Sequence, residues 1–121
     1  MRINVAIPYP KTKSGKTDWS RRYGLNAYWA GKHWAKRKED ARYWHAITRA
    51  QLKHPVMLRW PVGITFWWND NLDLDNHAAM GKMIVDALKG LLIPDDGRRQ
   101  VVQITHRYHD LDFILVEVEE L

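Results

Sequence analysis

The sequence predicts an α+β domain, a mixed sheet covered by two helices, with elements in the order β-α-β-α-β-β. Three observations carry this reading. Short stretches near both ends alternate apolar and polar residues, as half-buried strands do. Two longer segments repeat apolar residues at spacings of three and four, as amphipathic helices do. No second composition regime large enough to fold alone divides the 121 residues, a length that holds one core and not two, so residues 1–121 are read as a single domain.

The elements follow in order. Residues 2 to 8 alternate and stop at proline, which predicts a short strand. The next segment, YPKTKSGKTDWSRRYG, is polar, basic and rich in turn formers, and reads as a long surface loop. From His33 to Lys53 there is neither Pro nor Gly, and Trp34, Ala41, Trp44, Thr48 and Leu52 mark one helix face, opposite Lys36, Arg37, Lys38, Arg42 and Arg49. Pro55 stops that helix. VMLRWPVGITFWW is β-branched and aromatic, with Pro61 and Gly63 suggesting a bulge or an edge position. A second helix is predicted over about Asn76 to Leu91, its inner face Ala79, Met80, Met83, Ile84, Ala87, Leu88 and Leu91, with Gly90 and Pro94 at its end. QVVQITHRYHD and DFILVEVEE are the closing strands, the first leaving the acidic turn PDDGRR.

Composition narrows the function. With 45% hydrophobic and 27% charged residues the chain is ordinary for a globular protein. No apolar run approaches the roughly 20 residues of a membrane span, and the first residues lack the apolar core of a secretory signal, so a cytoplasmic protein without membrane contact is expected. The absence of cysteine excludes disulfides and thiolate chemistry, and any metal must be held by oxygen or imidazole. Residues 1–54 carry 13 Lys/Arg against 3 Asp/Glu, net +10, whereas residues 55–121 carry 6 against 11, net −5. A basic half suits a polyanion such as nucleic acid; a solvated basic helix accounts for the same charge.

The acidic half holds the chemistry-bearing pattern. If Asp73 and Asp75 leave the strand extended, both carboxylates point one way and Leu74 the other, and they repel unless one is protonated or a cation sits between them, a place that suits a hard ion such as Mg²⁺. Asp95 and Asp96, from the turn after the second helix, could approach the same point. The competing structural readings are that Asp75 or Asn76 caps the helix and that Asp95-Asp96-Gly97 is an ordinary turn. An EF-hand is excluded, because the turn glycine is replaced by Asn76 and the closing glutamate by Lys82. Lys82 and Asp86 are four apart, the spacing of a surface ion pair.

The string D73-L-D-N, then K82-M-I-V-D-A-L-K-G, then D95-D resembles the RusA family of Holliday-junction resolvases. The likeness is dense over residues 73 to 96 and extends loosely over most of the chain; residues 24 to 38 also resemble the N-terminal segment of phage-borne relatives. The resemblance implies metal-binding, catalytic aspartates at Asp73, Asp75 and Asp96, a catalytic lysine at Lys82, and Asp95 as an assisting neighbour. It further implies Mg²⁺, with Mn²⁺ as the alternative ion, a homodimer, and paired nicks in branched DNA during recombination and repair. Lys82 stands six residues after Asn76 where the family pattern has three, a change that turns a helix by about 300° and advances it about 4.5 Å. Lys32, Lys36, Arg37, Lys38, Arg98 and Arg99 are the expected contacts to DNA backbone. A non-catalytic DNA-binding recombination accessory protein and a metal-dependent phosphohydrolase acting on nucleotides are the alternatives. Trp29 and Trp34 are expected in packing or dimer contact ahead of base stacking, and His77 is expected to face solvent.

Overall fold

The computed structural model describes residues 1–121. Four strands, β1 (Arg2–Pro8), β2 (Val62–Trp68), β3 (Val101–Tyr108) and β4 (Phe113–Glu120), form one sheet in the order β1-β4-β2-β3. β4 pairs antiparallel with β1 and β2, and β3 runs parallel to β2 at the edge, so the sheet is mixed as predicted. Alternation in three strands sends Val5 and Ile7, Val62, Ile64, Phe66 and Trp68, and Ile114, Val116 and Val118 to one buried face. A parallel neighbour requires a crossover. Here it is a 3-10 helix (Leu74–His77) followed by α4 (Ala78–Leu88), whose Met80, Met83, Ile84, Ala87 and Leu88 recur at helical spacing and are buried over the sheet. Each side chain such as Ile84 or Leu88 contributes about 1.5–3 kcal/mol by leaving water. The long helix α3 (Trp34–Ala50) packs on α4 and buries Asp40, Trp44 and Thr48.

The predicted loop over residues 9–24 is a correction: it contains α1 (Lys13–Tyr23), and α2 (Leu25–Trp29) follows directly. Thr12 starts α1 by accepting the Gly15 amide at 3.0 Å, and Arg21 and Arg22 sit in its last turn, where cations are favoured. The segment is too polar to show a stripe. What holds it is one pair four apart, Trp19 and Tyr23, packed edge-on to Trp44 with ring centroids 5.9 and 5.3 Å away. Gly24 links the two helices where a Cβ would lie 2.9 Å from the Ser20 carbonyl oxygen and 3.4 Å from the Asn76 side chain.

Three smaller differences have local causes. β2 is a central strand and not an edge; Pro61 precedes it, so no ladder hydrogen bond is lost, while the suggested irregularity is present as a register shift between Val62 and Gly63. Trp34 is 70% exposed, because ten residues place it about 80° around the helix from Trp44. α4 ends at Leu88, not Leu91: Lys89 is extended, and Gly90 takes φ +78°, a conformation that favours glycine, to donate its amide to the Ile93 carbonyl at 2.7 Å. No helix is long and apolar enough to cross a membrane.

Candidate functional site

Asp73 and Asp75 lie where the chain leaves the central strand. Asp73 is extended (φ −63°, ψ 153°), but Asp75 lies inside the 3-10 helix, so the strand alternation that was to point both carboxylates one way does not apply. Neither capping reading holds either. No side chain caps the 3-10 helix or α4, and Asn76 instead accepts the Asn26 backbone amide at 3.0 Å, tying α2 to this segment. Both carboxylates are exposed and engage no cation of the chain. Tyr108 stands near them: its phenol is pushed up by partial burial and by the charges of Asp73, Asp70 and Asp75, and its hydroxyl donates to the Leu72 carbonyl at 2.6 Å.

A buried aromatic and imidazole layer supports the segment from below. His77, expected to face solvent, is fully buried. Its Nε2 lies 2.8 and 3.0 Å from the two Asp70 oxygens and its Nδ1 3.1 Å from the Leu74 carbonyl, an arrangement complete when both nitrogens carry hydrogen. Burial opposes the charge of Asp70, yet hydrogen bonding and charge from His77, with the Leu72 amide and the Tyr9 hydroxyl, hold its carboxyl below the usual range. Trp68 stacks on His77 with centroids 4.2 Å apart and donates its indole N–H to Nδ1 of His106 at 3.0 Å. His106 is thereby held with its proton on Nε2, and burial together with the nearby charge of His77 lowers its pKa.

The second acidic segment is differently committed. Asp95 Oδ1 accepts the Asp96 amide at 2.9 Å, the local turn role that its sequence suggested. Asp96 is drawn to Lys89 at 3.0 Å and to Lys82 at 3.8 Å. Lys82 also pairs with Asp86 at 3.0 Å across one helical turn, and Lys89 meets Asp86 at 3.2 Å, so two ammonium groups alternate with two carboxylates. Burial opposes the charge of Asp96, yet hydrogen bonding and charge from Lys89, together with the charge of Lys82, hold its carboxyl below the usual range. Beside this cluster, between α4 and β3, runs a cavity of about 320 Å³ lined by Lys82, Asp96 and His106 above an apolar floor that includes Phe66, Val85 and Ile104. Lys82 is thus brought to Asp96, but no three His, Asp or Glu side chains are grouped so as to hold a metal ion.

The expected basic contacts divide into two kinds. Lys36, Arg37 and Lys38 on α3 and Arg98 and Arg99 after the acidic turn are exposed. Lys32 is only 11% exposed, its ammonium bound to buried Asp40 and to the Arg22 carbonyl. Asp40 also receives the Arg22 Nε–H at 2.8 Å and the Tyr28 hydroxyl. Burial disfavours its charge, and these three donors more than offset that, leaving the carboxyl below its usual range. Nearby, burial pushes the Tyr23 phenol up to about 12. The basic residues Arg21, Arg22, Lys32 and Lys36 line a shallow cleft of about 340 Å³ with Asp18 and Ala27.

Asp40, Asp70, Lys89 and His106 were not singled out from sequence. Asp40 was discoverable, since it stands four residues before Trp44 and eight before Thr48 on the same inner face of α3. Compared with known protein families and with curated proteins, the chain matches none.

Proposed function

We propose that the chain is a divalent-cation-dependent endonuclease that hydrolyses phosphodiester bonds in branched DNA, four-way junctions included, acting as a homodimer in recombination and repair. The observation that carries the reading is the uncommitted state of Asp73 and Asp75: two exposed carboxylates that cap no helix and engage no cation of the chain. Such a pair is relieved by an external cation, and hard oxygen donors suit Mg²⁺ or Mn²⁺. Lys82, with a side chain 67% exposed, offers its ammonium to charge developing on a phosphoryl group. The likeness to RusA resolvases over residues 73 to 96 supports branched DNA as substrate, and exposed Lys36, Arg37, Lys38, Arg98 and Arg99 suit its phosphates.

The test is cleavage of a synthetic four-way junction against linear duplex, with Mg²⁺ and with chelator. Junction-selective nicking that stops in chelator and in Asp75→Asn is expected; cleavage that survives either change overturns the proposal. One observation favours a second reading, a DNA-binding accessory protein without catalysis: Asp96 is held by two lysines of the chain. Tight junction binding with no cutting under any divalent ion would select it.

A further inference from the structure

Trp29 and Trp34 are 86% and 70% exposed, an unusual placement for the largest apolar side chain in a chain that buries Trp19, Trp44 and Trp68. They bracket the turn between α2 and α3, where Gly31 takes φ +90°. Packing within the chain accounts for little of this: Trp34 meets the neighbouring His33 ring with centroids 5.6 Å apart and still leaves most of its surface in solvent. Their surroundings are cationic: Lys36, Arg37 and Lys38 are exposed on the first turns of α3, and Ala27 of α2 and Lys36 of α3 line the cleft that Arg21 and Arg22 share. Asp40 and Glu39 neutralise part of that charge through Arg22 and Lys32, but Arg21, Lys36, Arg37 and Lys38 form no ion pair with the chain. Asn26, one helical turn before Trp29, is hydrogen-bonded to Asn76 beside Asp75, so this surface adjoins the acidic segment.

We propose that Trp29 and Trp34 form a stacking platform for unpaired bases of DNA, with the flanking cations following the strand's phosphates. Charge complementarity selects this occupant over an apolar protein face: a ligand that satisfies π-faces and exposed cations together carries flat rings on an anionic backbone. The choice of DNA rests on the reading above; the stacking itself does not depend on cleavage.

The experiment measures binding of labelled single-stranded oligothymidylate and of a matched duplex, in chelator, by anisotropy, for the wild type, Trp29→Ala, Trp34→Ala and the double variant. Trp60→Ala, altering a half-exposed tryptophan from the segment before β2, is the control. Each platform substitution is expected to weaken single-strand binding by roughly 5- to 150-fold, the range of one lost base–aromatic stack, with duplex affinity changed less than about 2-fold. Trp29→Phe should retain most of the affinity. The inference is overturned if the wild type does not bind the single strand, if the variants bind as the wild type does, or if they lose duplex and single strand alike. It is also overturned if the double variant dissociates a dimer while each protomer binds DNA unchanged, which would make the tryptophans a contact between copies. Tryptophan-dependent binding without junction cleavage would leave the platform standing and remove the nuclease reading.

Discussion

Asp40→Ala removes the acceptor around which α1, α2 and α3 are assembled. The carboxylate is fully buried, and its closest cation, Lys32, has a side chain 11% exposed, whereas Arg22 is 41% exposed and its share is screened by water. Breaking a buried pair from one side costs about 3–5 kcal/mol. Because Arg22 can return to solvent, the lower end applies, about 3 kcal/mol, or roughly 12 °C in Tm for a chain of this size. Thermal and urea unfolding followed by circular dichroism at neutral pH give the number. Adding Lys32→Met removes the stranded ammonium and should restore about half of the loss. The pH dependence has a fixed sign. The depressed carboxyl of Asp40 stabilises the fold fully above the unfolded value of about 3.9 and ceases to do so as pH falls through the folded value, so wild type and variant should converge in acid. A loss below about 1 kcal/mol, or a double variant as unstable as Asp40→Ala alone, would refute the assignment of a buried, charge-paired anchor.

Asp73→Asn and Asp75→Asn should leave stability within about 0.5 kcal/mol, since neither carboxylate holds structure, while abolishing metal-dependent cutting; a large fall in Tm would show a structural role instead. Lys89→Ala should raise the Asp96 pKa toward its ordinary value, read by carboxyl NMR titration, and strengthen Mg²⁺ binding in calorimetry by removing a competing ammonium; unchanged or weaker binding counts against competition at Asp96. Gly24→Ala should cost about 1–3 kcal/mol, because the new methyl meets the Ser20 carbonyl oxygen at 2.9 Å, and a neutral result in urea unfolding would show that the α1–α2 junction yields.

Where the sequence was legible, one periodicity dominated. β1, β4 and the inner face of α4 follow from alternation or helical spacing, because each has one face in the core and one outside, whereas β2 was legible from its β-branched and aromatic composition. α1 was hidden, since its place depends on Trp44, which is distant in sequence, and only the Trp19–Tyr23 spacing hinted at it. The aspartates were recognisable as a chemical pattern, but their geometry was not: a 3-10 turn replaced the extended backbone that strand logic supplied. His77 illustrates the same limit. Its burial is set by the stack on Trp68 and by Asp70 seven residues earlier, and no local period encodes either.

The bond between Asn26 and Asn76 is lopsided: a backbone amide gives the hydrogen, and a side chain receives it. Any residue but proline at position 26 supplies that amide, whereas position 76 must carry a short side-chain acceptor of fixed reach. Divergent copies of this chain should therefore drift freely at 26 and stay Asn or Asp at 76, with glycine retained at 24 where the two segments meet most closely. The asparagine that closes the aspartate string then marks the joint between the basic helices and the acidic turn, and a survey of variants would find it by its immobility.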